Sequence, residues 1–424
     1  MSFFGKKQSA NAAPEVQNFH PVTSSLQGYG ELSPEDTKWH CSTKGFGSET
    51  HTWYTILEDG CWIMVQIIWS YTGIFMIPAT TQMTFKHYNP VTRVSSWKSV
   101  SVNGFKHDSH SCKSDTFEIK HTGSPTTEES YRITANLDKT VQIDIMFTRP
   151  ADSPGFKLGK GPGGGVSVFG KDASESKRDG IISHRFLPVM QSSGHVVING
   201  QMVDAKGDGM FVHAIQGLRP DSAASRWNFG FFTTAGDVAD SKLGRVRALQ
   251  MEFETTDYYG PTGPKSGRTK VNMGVVTSSK LSSPLIVVGQ TSCAAVPTAF
   301  PALNDDVSAV TQTPGAKDKD TGYNAPSAIE FKWAGNRVGG EKGRVSAAVA
   351  VPLLGTTVGE GGLIEKVDVL AEIPYVLRKT LAAVTGTKPY IYQYLNSASL
   401  HVELDGEAVE VQGWLFNEAT FVSE

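Results

Sequence analysis

The chain has 424 residues, a formal net charge of −3 and an isoelectric point near 6.4. This length exceeds what one ordinary hydrophobic core supports, so we expect two domains, and the slightly acidic balance argues against a nucleic-acid partner. No metal-type or redox spacing relates Cys41, Cys61, Cys112 and Cys293, so we predict reduced thiols, no metal site and no cofactor.

The chain begins MSFFGKK, without the long apolar core of a signal peptide. We predict that Phe3 and Phe4 insert at a membrane surface while Lys6 and Lys7 lie near anionic headgroups. Each Phe would contribute at most about 1.5–3 kcal/mol and each Lys about 1 kcal/mol. The sum allows only reversible docking, and a solvated tail is the alternative interpretation.

Residues 1–48 are polar and interrupted by Pro and Gly, so we interpret them as a tail with short ordered pieces. One such piece is SPEDTKW, residues 33–39. It predicts a helical turn because Ser33 suits the N-cap and Pro34 suits the first helical position.

The segment 61–79, CWIMVQIIWSYTGIFMIPA, is uncharged and just long enough to span a membrane. We reject a transmembrane helix because polar residues, Gly73 and Pro78 interrupt the segment and β-branched and aromatic residues dominate it. Two strands around SYTG fit the pattern better.

Strand patterns with short turns then follow one another through the first half of the chain. They are TWYTIL, CWIMVQIIWS, TQMTFKHY, SDTFEIKH, YRITANL, TVQIDIMFTR and HVVINGQMV. The last predicts a hairpin on Asn199–Gly200, a pair that suits a type I′ turn. Residues 159–180 predict a loop containing one short strand. The segment 217–227 contains a predicted short helix opening at Pro220, and we place the domain boundary there.

The second half repeats this plan, with a hairpin predicted on Asp405–Gly406. Its strand patterns are NFGFFTT, RVRALQMEFETT, TKVNMGVVT, PLIVVGQT, AIEFKWAG, VSAAVAVPLL, KPYIYQYL and LHVELDGEAVEVQGWLF. One helix is predicted over 372–386, with Ile373, Leu377, Leu381 and Val384 on one face. We expect it to pack outside a barrel, and a lid over a barrel mouth is the alternative.

Trp53 and Trp227 each begin a strand that leads through a turn into a second apolar strand. We interpret this as a tandem duplication, although many strands begin with aromatic residues. The predicted fold is all-β, with two tandem antiparallel barrels packed together and few short helices. The predicted divisions are an N-terminal tail at 1–48, a first barrel at 49–218 and a second barrel at 219–424.

Several blocks together resemble the fungal oxidative-stress survival factor 1 family, which is similar to tandem lipocalin-like proteins related to carotenoid hydratases. The blocks are YGELSPEDTKW, TWYTILEDG followed by MVQIIWS, GLRPDSAASRWNFGFF with ALQMEFETTDYYG, VDVLAEIPYVLRKTLAAVTGTKPYIYQYLN, and EVQGWLFNEATFVSE. The resemblance implies two lipocalin-like calyces and ceramide transfer between endoplasmic reticulum and Golgi by N-terminal docking. It also implies cytoplasmic and nuclear pools and a role in surviving oxidative stress.

Two departures from the family pattern stand out. MSFFGKK replaces a longer amphipathic helix, and SHRFLPVM replaces a run with Phe-Trp-Pro-Arg, with Leu187 and Val189 at the variable places. The first departure bears directly on how the chain would dock at a membrane.

A ceramide carrier must enclose hydrocarbon, since exposing roughly thirty methylenes to water costs on the order of 24 kcal/mol. A barrel of about eight strands has room for one small ligand. The strand 61–69 is apolar on both faces, so we predict that it lines the calyx on one side and an inter-barrel contact on the other. A buried core strand without a cavity is the alternative.

Residues 226–229 have two interpretations. In the first, Trp227 closes one end of the second barrel with Arg226 stacked on it, and in the second, Asn228 contacts the ligand head. The predicted lipid-binding residues are Trp53, Trp62, Met64, Ile67, Trp69, Arg226, Trp227, Asn228 and Phe229.

Three other motifs are weak as functional sites. GVSVFGKD, residues 165–172, resembles a phosphate loop but carries Asp172 where Ser or Thr is needed. HDSHSC, residues 107–112, lacks a fourth metal ligand by spacing. Glu58 and Asp59 belong to a turn.

We predict a lipid carrier rather than an enzyme. A hydratase-like enzyme would need a buried group such as His184 or Asp144 in a cavity. A protein with filled barrels that serves as an interaction module is the third class.

Overall fold

The computed structural model describes residues 16–24, 28–124, 127–236, 238, 241–300, 305–339, 343–372 and 388–422. Almost all regular structure in these residues is antiparallel β-strand. Helical turns occur at Val22–Ser24, Pro34–Thr37, Pro220–Ala223 (α1) and Val369–Glu372 (α2). The second and third confirm the turn expected within 33–39 and the short helix expected at Pro220.

The first half forms one large curled sheet and a ribbon of two short strands, in which Tyr29–Gly30 pairs with Lys157–Leu158. The strands are β1 (Phe19–His20), β2 (Tyr29–Gly30), β3 (Phe46–Leu57), β4 (Trp62–Thr72), β5 (Thr80–Asn89), β6 (Val94–Val102), β7 (Lys106–Asp108), β8 (Ser111–Lys113), β9 (Phe117–Thr122), β10 (Glu129–Asn136), β11 (Val141–Arg149), β12 (Lys157–Leu158), β13 (Val166–Phe169), β14 (Gly180–Ile198), β15 (Gln201–Asp204) and β16 (Gly207–Gln216).

The second half forms a second curled antiparallel sheet. Its strands are β17 (Ala224–Thr234), β18 (Val246–Thr255), β19 (Thr269–Ser278), β20 (Ile286–Cys293), β21 (Val307–Lys317), β22 (Asn324–Asn336), β23 (Arg344–Pro352), β24 (Leu363–Asp368), β25 (Tyr390–Leu404) and β26 (Glu407–Phe421). The expected all-β class with two packed, barrel-like antiparallel sheets is confirmed.

The strand orders of the two sheets repeat each other. The first runs β6-β5-β4-β3-β16-β14-β11-β10-β9 and continues to β8 and β7, and the second runs β20-β19-β18-β17-β26-β25-β23-β22-β21. In each sheet the opening strand therefore pairs with the last strand of its own half. This equivalence supports the tandem duplication at the level of topology.

The two tryptophans that suggested the duplication are not equivalent. Trp53 points into the first barrel, whereas Trp227 points out of the second barrel towards the first. Because side chains alternate between the faces of a strand, a one-residue offset reverses the direction of every side chain. The repeat is carried by the strand pairing and not by these two residues.

Local turn chemistry is as expected. Asn199 and Gly200 have φ of 52° and 81°, and Asp405 and Gly406 have φ of 55° and 84°. Both hairpins therefore use the left-handed backbone that these residue pairs tolerate best. The segment 61–79 contains β4 and the turn that follows it. Among the described residues, the longest helix falls far short of a membrane span.

In the part of the chain that the structure describes, the buried apolar side chains form three clusters: one inside each barrel and one between the barrels, which we call the seam. The described part of the first 48 residues contributes to two of them, since Phe19 is buried in the seam and Trp39 in the first barrel. The predicted helix at 372–386 lies, apart from its first residue, outside the described residues, as do Phe3, Phe4, Lys6 and Lys7.

Candidate functional site

A cavity of about 320 Å³ lies in the seam, and we call it the seam cavity. This volume is within the range of small-molecule sites. A second space of about 170 Å³, the side chamber, continues along β4 and β5. The residues that line both are Tyr54, Gln66, Ile68, Ser70, Val369, Ile391 and Glu418.

Strand alternation explains why the seam cavity has this lining. On β3, Ser48, Thr50 and Thr52 face the seam, and on β4, Gln66 and Ile68 do the same. Their odd-numbered neighbours point into the first barrel. The second sheet contributes outward-facing residues of β17 and β26. The cavity is therefore built from the outer faces of both barrels and not from the interior of either.

Aromatic side chains from both sheets pack beside the cavity. Trp62 stacks on Phe416 with ring centroids 4.6 Å apart, and Tyr54 lies 5.5 Å from Phe229 and 5.2 Å from Phe416. All four are buried. Since these contacts join the first sheet to the second, they fix the distance between the barrels and hence the width of the cavity.

A polar network crosses the seam at the side chamber. Lys86 Nζ donates to Glu365 Oε2 at 2.7 Å and to Gln393 Oε1 at 2.9 Å. Gln393 Nε2 in turn donates to Glu418 Oε1 at 2.7 Å. Burial raises the pKa of Glu418, and the hydrogen bond from Gln393 and the charge of Lys86 only partly oppose this. The protonated form of Glu418 is therefore favoured more than that of an ordinary carboxyl group.

His184 contributes a second polar group to the cavity wall and is only 2% exposed. Among the described residues, its Nδ1 has no hydrogen-bond partner. Burial, together with the charge of Arg185, lowers the pKa of His184 to about 3, so the ring is neutral. It packs against Trp227, with ring centroids 5.9 Å apart. The geometry thus provides a neutral polar group beside an aromatic wall.

The sequence profile of the Svf1 family matches residues 2–423. The chain belongs to the Svf1 family. Ceramide-binding protein SVF1 of Yarrowia lipolytica is 31% identical over 436 residues, covering 98% of this chain and 97% of the relative. Ceramide-binding protein svf1 of Aspergillus fumigatus is 29% identical over 418 residues, covering 93% and 91%. The resemblance inferred from the sequence blocks is confirmed.

The fold is shared with a bacterial protein of known structure. The crystal structure of an AttH candidate from Nitrosomonas europaea aligns with a TM-score of 0.51 at 12% identity, covering 93% of this chain and 98% of that one. At this identity the likeness establishes the tandem-sheet fold of the Svf1-family chain and nothing about its chemistry.

The predicted lipid-binding residues of this Svf1-family chain separate into two groups. Met64, Trp227 and Phe229 line the seam cavity or the side chamber, and Trp62 packs in the seam beside them. The remaining residues point into the barrels or lie within the second sheet away from the cavity: Trp53, Ile67, Trp69, Arg226 and Asn228. Strand β4 is apolar on both faces because its even positions face the seam and its odd positions face the first-barrel core.

The barrel interiors contain packed side chains where we expected a lipid-filled calyx. In the first barrel, the ring centroids of Trp53, Tyr131 and Phe211 lie 5.1–5.4 Å apart. In the second, Phe331 and Trp333 occupy the space above Gly230 and Gly274. This packing favours the seam over a barrel interior as the ligand cavity, and lipid binding by the predicted residues inside the barrels stays a prediction.

Both interpretations of residues 226–229 need revision. The guanidinium of Arg226 lies over the Phe421 ring at 5.2 Å, not over Trp227, and Trp227 faces the seam. Asn228 Nδ2 donates to Glu252 Oε1 at 2.8 Å, and its Oδ1 accepts from Gln312. Both ends of the Asn228 amide are thus hydrogen-bonded inside the second barrel.

One buried group of this Svf1-family chain has metal-ligand composition. The ligand atoms of Glu49, His51 and His213 lie within 4.8 Å of one another. His213, however, already bridges Glu49 Oε1 and the Asp36 carbonyl, at 2.8 Å each. Glu49 also accepts from the backbone N–H groups of His40 and Cys41. Glu49 and His213 are therefore already engaged in hydrogen bonds within the protein. These hydrogen bonds hold residues 36–41 on the barrel.

The enzyme alternative needs a buried carboxylate or His in a cavity, and of the two examples given, His184 lies in the seam cavity. Asp144 accepts two hydrogen bonds from Arg132 at 3.1 Å on the outer surface. Sequence reasoning missed Gln66, Lys86 and Glu418 as cavity residues. Gln66 could have been noticed as a polar residue within the apolar run of β4, whereas β5 and β26 carry many polar residues and give no such signal for Lys86 or Glu418.

A larger open depression of about 640 Å³ lies on the second sheet. Its lining includes Lys332, Glu403 and Glu410. Charged walls do not suit hydrocarbon, since removing a charge from water is costly unless the charge is paired. We therefore treat the seam cavity as the candidate functional site.

Proposed function

We propose that the chain binds ceramide or a similar sphingolipid in the seam cavity and carries it as a non-enzymatic transfer protein. The observation that carries the proposal is a partly enclosed cavity between the barrels, with mainly apolar walls and a few polar groups. Ceramide has the matching chemistry, because its head offers hydroxyls and one amide without a charge. Relatives described as ceramide-binding proteins support this choice of ligand.

In this arrangement the head lies near Glu418 and Gln66. The adjoining parts of the tails follow Ile68, Trp227 and Ile391. The Gln66 amide donates to Thr52 Oγ1 at 2.8 Å, which orients its carbonyl oxygen as an acceptor for a ligand hydroxyl. Protonated Glu418 supplies the complementary donor. Apolar contacts provide the affinity and the few polar contacts provide the specificity, as in small-molecule sites generally.

The proposal extends to the cell. A carrier of this kind would move ceramide between endoplasmic reticulum and Golgi, with cytoplasmic and nuclear pools and peripheral contact with both membranes. Phe3, Phe4, Lys6 and Lys7 would provide one reversible contact. Support for survival under oxidative stress comes only from the sequence resemblance. These steps are tested by imaging a tagged chain and by measuring ceramide delivery in cells that lack it.

Filling the seam cavity is expected to abolish ligand binding. Ala214 lines the cavity, and Ala214→Trp would place an indole where the ligand lies. We expect affinity for a fluorescent ceramide to fall roughly a hundredfold, the equivalent of about 2.7 kcal/mol and within the cost of overpacking a site. The matched control is Ala350→Trp on the exposed face of β23. Equal affinity in both variants, with unchanged circular dichroism, would disprove seam binding.

Ceramide affinity is also expected to depend on pH through Glu418, which faces Lys86, Gln393 and Tyr54. Because burial raises its pKa, the donor form persists above the ordinary carboxyl range, and affinity should fall as pH rises through that raised value. The loss of one hydrogen bond predicts roughly a five- to tenfold decrease. Glu418→Gln keeps a donor at every pH and should flatten the profile, whereas Glu410→Gln, an exposed carboxylate on the same strand, should not.

A further inference from the structure

The tight turn between β4 and β5 exposes bulky apolar side chains at its apex. The Ile77 N–H donates to the Ile74 carbonyl at 2.9 Å, which closes a four-residue turn. Phe75 and Met76 occupy its two central positions and are 93% and 83% exposed. Turn centres normally carry Gly, Pro, Asn, Asp or Ser, because these residues suit the backbone and leave no apolar surface in water. This turn breaks that rule with four consecutive apolar residues.

The base of the turn is fixed. Gly73 has φ of 80°, and a Cβ at this position would lie 3.0 Å from Gly45 C and Phe46 N. Thr72 Oγ1 accepts a hydrogen bond from the Ile74 N–H at 3.2 Å. The apex is therefore presented by an anchored hairpin, and little conformational entropy remains to be lost when it binds a partner.

The turn also lies at one end of the proposed site. Ser70 and Thr80 pair across the hairpin and both line the side chamber, and Ser70 and Phe46 also line the seam cavity. Phe75 follows Ser70 by five residues on the same hairpin. The exposed apex and the wall of the cavity are thus parts of one rigid element.

The chemistry of the hairpin indicates the partner. Every residue from Cys61 to Phe85 is uncharged. Inserting the apex into a lipid interface would bury Phe and Met without removing a charge from water, which is the usual cost of such insertion. An uncharged tip also needs no anionic lipid for its contact.

We propose that the turn Ile74–Ile77 inserts into the surface of a lipid bilayer and places the adjoining end of the seam cavity against the membrane. The contact uses a face of the first barrel and is separate from the one predicted for Phe3 and Phe4. Only the biological purpose of this contact rests on the proposed function, since a lipid carrier must take its cargo directly from a bilayer.

The test compares three full-length proteins on neutral phosphatidylcholine vesicles: the natural chain, Phe75→Ser/Met76→Ser and Val91→Ser/Met202→Ser. The control pair removes two other exposed apolar side chains, 83% and 74% exposed, elsewhere on the first sheet. We expect co-sedimentation to weaken by at least about tenfold in the turn variant and to be unchanged in the control. Added salt should have little effect, because the turn carries no charge.

A second readout follows insertion directly. A polarity-sensitive dye on Phe75→Cys should shift to shorter emission wavelength with vesicles, and a dye on Val91→Cys should not. Equal co-sedimentation of all three proteins, or no dye shift, would overturn the proposal. The proposal would also be overturned if the natural chain were a dimer and the turn variant a monomer, because a second copy of the chain would then cover the turn. Binding of detergent-dispersed ceramide should be intact in the turn variant, and its absence in the natural chain would count against the proposed function alone.

Discussion

Asp36→Asn is expected to lower the free energy of unfolding by about 5 kcal/mol, since it leaves two buried cations without their counter-ion. Lys157 Nζ donates to Asp36 Oδ2 at 2.7 Å, and Arg185 Nε donates to Asp36 Oδ1 at 2.8 Å. All three side chains are nearly inaccessible to solvent. An amide keeps the size of the carboxylate but removes its charge, so neither cation is compensated.

The Asp36 carboxylate also predicts that the free energy of unfolding decreases at acidic pH. Burial alone would raise the pKa of Asp36, but hydrogen bonds from Lys157, Ser33 and Arg185 outweigh it and lower the pKa from 3.8 to about 2. A carboxyl group with a lower pKa in the folded state stabilises the fold above the unfolded value. That contribution, about 2.5 kcal/mol, is lost as pH falls from about 4 to about 2. Asp36→Asn should lack this component.

The loss of unfolding free energy is measured by urea denaturation of three proteins: the natural chain, Asp36→Asn and Asp36→Asn/Lys157→Met. The double variant should regain part of the loss, because one uncompensated cation is removed with its counter-ion. Asp152→Asn, at an exposed position, is the matched control and should be neutral. If Asp36→Asn costs no more than this control, the three groups are not a buried ionic cluster.

Local features of the fold could be predicted because their causes are local. The Asn199–Gly200 and Asp405–Gly406 hairpins depend only on the backbone freedom of two residues. The two-sided apolar pattern of residues 61–69 correctly predicted that β4 has both faces covered, since alternation along one strand is visible in one segment.

The position of the cavity could not be predicted, because its walls come from strands distant in sequence. In SETHTWY, residues 48–54, polar groups occupy both faces of β3. Ser48, Thr50 and Thr52 face the seam, yet Glu49 and His51 are the residues buried in the barrel. Glu49 is tolerated there because His40 and Cys41 donate their backbone N–H groups to it. Only the folded arrangement of residues 36–41 reveals that compensation.

The longest described strand could not be predicted as one element either. β14 runs from Gly180 to Ile198 and pairs first with β13 and β16, then with β11 and β15. Its register with β16 shifts between Leu187 and Met190, around Pro188, which cannot donate a ladder hydrogen bond. Pro188 interrupts the strand pattern of residues 180–198, and the glycine-rich residues 159–180 precede it. In sequence, the continuous strand therefore resembles two unrelated fragments.

Lys86→Met is expected to cost about 3 kcal/mol of unfolding free energy, the second largest effect. The substitution keeps the aliphatic stem but leaves Glu365 and the Gln393 carbonyl without a donor across the seam. The cost lies at the lower end for a buried pair because Glu365 keeps partial access to water. Lys86→Met/Glu365→Gln should recover much of it, and Lys106→Met, on an exposed strand of the same sheet, should be neutral.

The same substitution separates a structural role of the network from a role in ligand binding. The charge of Lys86 lowers the pKa of Glu418, so its removal should raise that pKa further above the ordinary carboxyl value. If protonated Glu418 donates to the ligand, ceramide binding by Lys86→Met should persist to higher pH than binding by the natural chain. A purely structural network would weaken binding equally at every pH. A shift of the profile to lower pH would mean that ionised Glu418 is the binding form, and that the head group requires an acceptor there.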